Sequence, residues 1–254
     1  MPATKHTARK RFGQNFLTDA RIVDRIIATI APKKNDNLLE IGPGKGAMTL
    51  PLLEELNQLH VIEIDTDLIA LLQSFGKENL IIHQGDALKF DVSKLPAPLR
   101  VVGNLPYNIS SPILFHLLNN REHIQDMIFM LQKEVVERMV ASNGNKTYGR
   151  LSVMIQAFFE VEMIFVVPPE SFEPAPKVDS AIVYLKPLEK NLIDDITVFE
   201  KIVKASFAQR RKTLRNCLKS LLTQEQTSID LSQRAEMLSV NEFITLTSDY
   251  EKQH

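Results

Sequence analysis

The chain of 254 residues contains a single cysteine, Cys217. One thiol forms no internal disulfide and builds no Cys-rich zinc site, which agrees with a reducing compartment and removes redox-dithiol and zinc-finger readings. Long apolar runs are also missing. Stretches such as 128–131 and 164–167 fall far short of the roughly 18 to 20 residues that span a bilayer, so neither a transmembrane helix nor a membrane partner is expected. Lys5, Arg9, Lys10 and Arg11 crowd the first dozen positions, but no apolar segment follows them. A secretory signal is therefore not expected, and the compartment is read as cytoplasmic. An excess of one charge is absent too: 30 basic residues face 31 acidic ones, so bulk electrostatics alone announce no polyanionic partner. The six histidines show no ligand spacing; His116 and His123 read as surface or packing residues, and no metal is expected. No interface signal is legible, which leaves a monomer as the default.

What is present is an ordinary globular composition, with 44% hydrophobic and 24% charged residues. Such a chain holds one large domain, or a domain of about 180 residues and a smaller one. Short, nearly continuous apolar runs at 37–41, 60–64, 80–83, 100–102 and 127–131 alternate with helix-like segments at 46–56, 67–75, 111–119 and 133–142. This spacing predicts a doubly wound, mostly parallel α/β sheet whose strands are buried on both faces. Further strands at 160–167 and 181–187 suit antiparallel additions at one edge, and the proline-rich stretch 168–176 reads as an extended loop. Beyond Pro187 the strand pattern stops, and 197–208, 214–222, 231–238 and 242–251 read as short amphipathic helices. The division expected is therefore 1–188 for an α/β domain and 189–254 for a small all-helical domain.

Charge is segregated within the helical part. Seven Lys and Arg residues and no acid lie from Lys201 to Lys219, whereas six acids follow between Leu222 and His254. A basic run in isolation usually marks a solvated helix face.

The chemistry concentrates at the strand ends. Leu38-Leu39-Glu40-Ile41-Gly42-Pro43-Gly44-Lys45-Gly46 runs a buried strand into a glycine turn and a helix. Glycines allow close backbone approach to a ligand, and a helix N-terminus offers free N–H groups. A phosphate-loop reading fails on spacing, because that motif requires Ser or Thr where Gly46 stands. Gly42, Gly44 and Ala47 do satisfy the dinucleotide spacing G-x-G-x-x-A, and Glu63 follows 21 residues after Gly42, where an acid binds ribose hydroxyls. Dehydrogenases and methyltransferases both use such an acid, so both remain open here. Asp86, after the third strand, has the position and chemistry to accept a hydrogen bond from an adenine amine, or else to cap a helix.

The fourth strand leads into Gly103-Asn104-Leu105-Pro106-Tyr107. This turn resembles the (N/D/S)-P-P-Y motif of methyltransferases that modify exocyclic amino groups, with Leu105 in place of the first proline. An amino nitrogen conjugated with a purine is a poor nucleophile until acceptors draw it toward tetrahedral geometry. The Asn104 side-chain oxygen and the Leu105 carbonyl are suitable acceptors, while Pro106 stiffens the turn and Tyr107 offers a face to the base.

With these motifs in view, the chain resembles the ribosomal RNA adenine dimethyltransferase family, specifically its small-subunit branch. The likeness runs from Arg11-Phe12-Gly13-Gln14-Asn15-Phe16-Leu17, through the two turns above and 169–180, to Ser206-Phe207-Ala208-Gln209-Arg210-Arg211-Lys212-Thr213-Leu214-Arg215-Asn216. The resemblance implies a Rossmann-like methyltransferase sheet, S-adenosyl-L-methionine as cofactor, and dimethylation at N6 of two adjacent adenosines near the 3′ end of 16S rRNA during ribosome biogenesis. The small ribosomal subunit and its rRNA are the implied partners. It further implies that Asn15 and Leu17 touch the cofactor and that Gly42 and Gly44 form its glycine turn. Glu63 takes the ribose, Asp86 the adenine, and Asn104 bridges cofactor and target amine, while Tyr107 and Phe172 hold the extruded base. Arg9, Lys10, Arg11, Arg210, Arg211, Lys212 and Arg215 then read as a phosphate-contacting surface. The alternatives are the sister branch acting on large-subunit rRNA, a non-catalytic RNA-binding factor on the same fold, and an NAD-dependent dehydrogenase.

Overall fold

The computed structural model describes residues 14–106, 109–190, 192–209 and 211–253. In chain order its elements are β1 (Phe16–Leu17), α1 (Ala20–Ile30), β2 (Asn37–Ile41), α2 (Thr49–Glu55), β3 (Leu59–Glu63), α3 (Thr66–Ser74), β4 (Leu80–Gln84), β5 (Leu99–Asn104), α4 (Ser110–Leu118), β6 (Ile124–Gln132), α5 (Lys133–Met139), α6 (Arg150–Gln156), β7 (Phe159–Val167), β8 (Phe172–Glu173), β9 (Ser180–Pro187), α7 (Ile196–Ser206), α8 (Leu214–Cys217) and α9 (Val240–Glu251).

Seven strands form one sheet in the order β4-β3-β2-β5-β6-β9-β7. From β4 to β6 every pairing is parallel, and β9 joins β6 antiparallel, Phe129 opposite Val183. The apolar runs explain the arrangement. β2, β3 and β5 are buried almost throughout, as strands covered on both faces must be, whereas β4 at the outer edge is half-buried. Apolar residues of β2, β3, α1 and α2 share one core with Phe165, Val167, Phe172 and Ile182. Helix starts are written in short polar side chains: Asp19 accepts from the Arg21 N–H ahead of α1, and Asp65 from the Asp67 N–H ahead of α3. Chain order along the sheet reverses between β2 and β5, which opens a crevice at the carboxyl ends of those strands.

At the opposite, amino-terminal end of the parallel strands, Arg100 on β5 is buried. It donates to Asp126 on β6 at 2.9 and 3.0 Å, to Asp36 at 2.8 Å and to the Ile30 carbonyl at 2.8 Å. Two acids and a carbonyl thus satisfy one guanidinium and tie the end of α1 to the sheet.

The chain divides into two compact units, Met1–Lys133 with Met163–Pro187, and Glu134–Glu162 with Leu188–His254. A cut at 188 leaves 134–162 in the α/β domain. The contacts instead group that segment, which carries α5 and α6, with the helices after Leu188. In the second unit Phe199 of α7 meets Phe158 edge-on at 5.8 Å, and Phe243 of α9 stacks on Phe207 at 5.6 Å. Ser239 and Glu242 close a reciprocal cap at the start of α9.

Three local expectations are corrected. The 231–238 stretch is not a helix: its Leu231 and Gln233 carbonyls accept from the Arg215 and Leu214 N–H groups, leaving one short 3₁₀ turn at Ala235–Met237. That donation satisfies the first turn of α8, which spans only Leu214–Cys217 rather than 214–222. The 168–176 stretch is not simply extended, since it holds a 3₁₀ turn at Pro169–Ser171 followed by β8.

Candidate cofactor cleft and substrate turn

Four consecutive parallel strands deliver their last residues to one cavity of about 260 Å³. Its wall takes Gly42 and Gly44 after β2, Glu63 from β3, Asp86 after β4, Asn104 from β5 with Leu105 and Pro106, Asn15 just ahead of β1, and Leu17 and Phe172 from the β1–β8 pair. The sequence-predicted cleft residues that are described therefore meet in one place. Tyr107 lies outside the described residues.

The glycine turn is built by backbone geometry. Gly42, Gly44 and Gly46 all have positive φ, and a Cβ on Gly46 would stand 2.7 Å from the Phe75 ring. Gly103 serves a different purpose: a Cβ there would lie 2.5 Å from the Ile41 carbonyl oxygen. Its absence lets β5 approach β2 where the strands reach the cavity.

Glu63 is 6% exposed, and its carboxylate accepts from the Ile64 and Asp65 N–H groups, both at 2.9 Å. The Gly44 N–H also lowers its pKa, yet burial prevails and holds Glu63 above the usual glutamate value. Asp86 accepts from the Leu88 N–H at 3.0 Å while it lines the cavity; the residues after it, 87–89, form a turn and not a helix, so it closes a turn rather than capping a helix. Asn104 donates through Nδ2 to the Asn15 carbonyl at 3.1 Å. That bond commits the amide nitrogen, leaves Oδ1 as the acceptor end, and ties the 14–17 segment to the end of β5. Gln14 Nε2 donates to Asp65 at 3.2 Å, and the Thr18 N–H donates to the Ser171 carbonyl at 2.8 Å, so the segment is held at three points. Leu17 pairs with Phe172 across β1 and β8. Leu105 and Phe172 are buried, and the Leu105 N–H donates to the Met130 carbonyl at 3.2 Å.

Glu40 was visible only as a letter of the glycine motif. It is fully buried in β2 and lines the cavity. Oε2 accepts from Thr49 Oγ1 at 2.7 Å, while Oε1 has no hydrogen-bond partner. Burial, with a further push from Glu63, raises its pKa to about 7. A charged residue inside the apolar run of β2 was the available signal. Gln14 carried no comparable local signal, because its partner Asp65 is 51 positions away.

In the second unit, Arg211, Lys212 and Arg215 are exposed around the start of α8. Arg215 lowers the pKa of Glu225 and of Asp230, though hydrogen bonds come first in both cases, so part of the acidic tail returns toward the basic run. Arg9, Lys10, Arg11 and Arg210 lie outside the described residues. Among the described residues, no group of three or more His, Cys, Asp or Glu side chains is placed to hold a metal, and no helix is long and apolar enough to cross a membrane.

Acids at successive ends of a parallel sheet, facing a glycine turn, suit a nucleoside, and the Asn-Leu-Pro turn beside them places the domain among the Rossmann-like methyltransferases. The family is narrower than that class. The family model described as Ribosomal RNA adenine dimethylase matches residues 5–252, and the chain belongs to that family. Among curated relatives, the Ribosomal RNA small subunit methyltransferase A of Nitrosospira multiformis is 52% identical over 98% of both chains. The protein of the same name from Saccharophagus degradans is 55% identical over 97% of this chain and 96% of its own. Among solved structures, a dimethyladenosine transferase from Plasmodium falciparum superposes with a TM-score of 0.81 at 29% identity, covering 94% of this chain and 98% of that one. The 23S rRNA methyltransferase ErmE gives 0.67 at 25% identity, covering 93% and 100%.

Proposed function

We propose that this enzyme transfers two methyl groups from S-adenosylmethionine to N6 of each of two adjacent adenosines near the 3′ end of small-subunit 16S rRNA, in ribosome biogenesis. The observation that carries the reading is the meeting of Glu63, Asp86 and the glycine turn with the Asn104-Leu105-Pro106 turn in a single cavity. Relatives 52–55% identical and named for the small subunit favour that substrate over the large subunit, to which the name of the more distant ErmE refers. A ribosomal substrate places the reaction in the cytoplasm.

The cavity fits such a cofactor. A nucleoside needs acceptors at ribose and base, which Glu63 and Asp86 supply, and a buried carboxyl oxygen without a partner suits a ligand that carries positive charge. Gly42 and Gly44 admit the ligand close to the backbone, with Asn15 and Leu17 closing the near side. When bound, the cofactor supplies a methyl group on a sulfonium, already electrophilic enough that alignment is the protein's main task.

Asn104 Oδ1 and the Leu105 carbonyl accept from the target amine and draw its lone pair out of conjugation. The Asn15 carbonyl keeps the Asn104 amide from turning its nitrogen toward that amine. Pro106 fixes the turn, and its carbonyl accepts from the Ile109 N–H and Ser110 Oγ at 3.1 Å each, which anchors the turn to α4. Phe172, in the cavity wall, and Tyr107 offer aromatic faces to an extruded adenine. Arg211, Lys212 and Arg215, together with Arg210 and the N-terminal Arg9, Lys10 and Arg11, contact RNA phosphates.

The test is incubation with labelled S-adenosylmethionine and unmethylated small ribosomal subunits, followed by nucleoside analysis. The expected product is N6,N6-dimethyladenosine in small-subunit RNA. Transfer only to large-subunit RNA would move the protein to the sister branch, and transfer to neither would leave a binding role.

A further inference from the structure

Beside the cofactor cavity lies a second hollow of about 420 Å³, which none of the roles described above employs. Leu17 of β1, Ala20 and Val23 of α1, and Leu50 and Pro51 of α2 form its apolar wall. Ala20 and Leu50 are exposed, Leu50 to 39%, so the hollow opens to solvent. Its volume falls within the roughly 300–1,000 Å³ of ordinary small-ligand sites.

Leu17, Lys45 and Ala47 line this hollow and the cofactor cavity alike. Leu17 also pairs with Phe172 of the cavity wall, and Thr18 donates through its N–H and its hydroxyl to the Ser171 carbonyl, at 2.8 and 3.2 Å. β1 and the glycine turn thus form a partition with a space on either side. Lys45 stands on that partition and is the one cation of either wall among the described residues. It is exposed, its Nζ lies 4.5 Å from the centre of the Phe16 ring, and no carboxylate among the described residues pairs with it. The ring attracts the ammonium and favours one placement of it, without neutralising its charge.

We propose that the hollow is a second nucleotide subsite, which takes the base next to the target adenosine while Lys45 binds the phosphate that joins the two. The inference rests on the reading of the Asn104-Leu105-Pro106 turn as the substrate site. An adenosine extruded into the cavity draws its strand with it, so the neighbouring nucleotide passes the partition. The chemistry on the far side suits that neighbour: an apolar wall accepts the face of a base, a cation without an acidic partner accepts a phosphate, and the exposed Asp24 accepts from a base amine. The other anion within reach of a cation on this wall is the carboxylate of the cofactor, and the experiment separates the two.

Methyl transfer from S-adenosylmethionine to unmethylated small subunits is measured together with cofactor affinity by calorimetry. Ala20→Phe lies at the exposed start of α1 and fills the hollow without entering the cofactor cavity. It should raise KM for the subunit about tenfold, the loss expected for one side chain's worth of apolar contact, with kcat and cofactor affinity unchanged. Lys45→Ala should raise KM as well and lower the slope of log affinity for the subunit against log salt by about 0.7, the value for one phosphate of a single strand, and Lys45→Arg should restore both. Subunits whose RNA lacks the base at one or the other of the two target adenosines supply the direct comparison. In one of these two arrangements wild type should methylate the remaining adenosine with KM raised about tenfold, and Ala20→Phe should lose nothing further there, because the base that it displaces is already gone. Additive losses in both arrangements would overturn the inference and leave the substrate reading intact. So would an unchanged KM in Ala20→Phe, which together with a lowered melting temperature would give the hollow to another segment of this chain. Weaker cofactor binding by Lys45→Ala at an unchanged salt slope would assign Lys45 to the cofactor carboxylate, with the same consequence. No transfer to small subunits by the wild type would overturn both readings.

Discussion

Replacing Asn104 by Ala separates two things that the side chain does at once. Its Nδ2 donates to the Asn15 carbonyl at 3.1 Å and so helps to hold the 14–17 segment against the cavity. A neutral hydrogen bond contributes about 1 kcal/mol net, so losing it should weaken cofactor binding by no more than about tenfold. Its Oδ1 accepts from the target amine in the proposed reaction. Removing one positioned polar partner from a reacting centre costs about 3 to 4 kcal/mol, or on the order of a hundredfold to a thousandfold in turnover. The two losses fall on different measurements. Calorimetry with S-adenosylmethionine should show the small effect, and single-turnover methyl transfer to saturating small subunits should show the large one. Methyl transfer within about threefold of wild type, or a loss confined to cofactor affinity, would refute the assignment of Asn104 as the amine-orienting group.

Three other outcomes are expected. Arg100→Met strands the buried carboxylate of Asp126 and removes the ion-pair partner of Asp36, which keeps only the Lys33 N–H, so urea unfolding should show a loss of about 3 to 5 kcal/mol, in part recovered by adding Asp126→Leu; a loss below about 1 kcal/mol would show that the network is not needed. Glu40 keeps its proton up to about pH 7 when folded but loses it near 4.5 when unfolded, so the native state binds more protons in that window and stability falls as pH rises through it. The contribution amounts to about 3 kcal/mol, and ligand-free Glu40→Gln should accordingly gain stability relative to wild type between pH 5 and pH 8, where parallel pH profiles would contradict the burial argument. Changing Arg211, Lys212 and Arg215 together to Ala should reduce the slope of log affinity for small-subunit RNA against log salt by about 2 to 3 without altering cofactor affinity, and an unchanged slope would remove this surface from the interface.

How far the sequence disclosed these features depended on where each partner lies. The buried strands were legible because 37–41 and 60–64 are nearly continuous apolar runs, and the glycine turn because positive φ values leave glycine in the chain. Helix starts shifted by a few residues: α2 begins at Thr49 rather than 46, since the turn through Gly46 uses positions that a helical pattern also accepts. β1 and β8 are two residues each, and Leu17 meets Phe172 across more than half the chain, so neither carries a local period. The 231–238 stretch has helical spacing, but its carbonyls serve α8, a tertiary demand that outweighs propensity. α6 went unread because its buried face, Leu151 to Ile155, is nearly all apolar and shows no amphipathic contrast. At the cleft, the acids on β3 and β4 announced themselves by spacing, whereas Glu40 hid inside a motif explained by its glycines.

The helical unit is made of two stretches of chain, with α5 and α6 inserted before β7 and the remainder after β9. It is therefore not an appendage that a stop codon can remove. Ending the chain at 188 would delete α7 and α9 but retain α6, whose Leu151, Val153 and Ile155 are buried. An isolated α/β half requires a short loop spliced between Lys133 and Met163 as well as the terminal deletion, and exchange of the helical unit with a relative requires both stretches to travel together. Insertions and deletions in such a chain are constrained in pairs, so a length change before β7 calls for a matching repair far downstream.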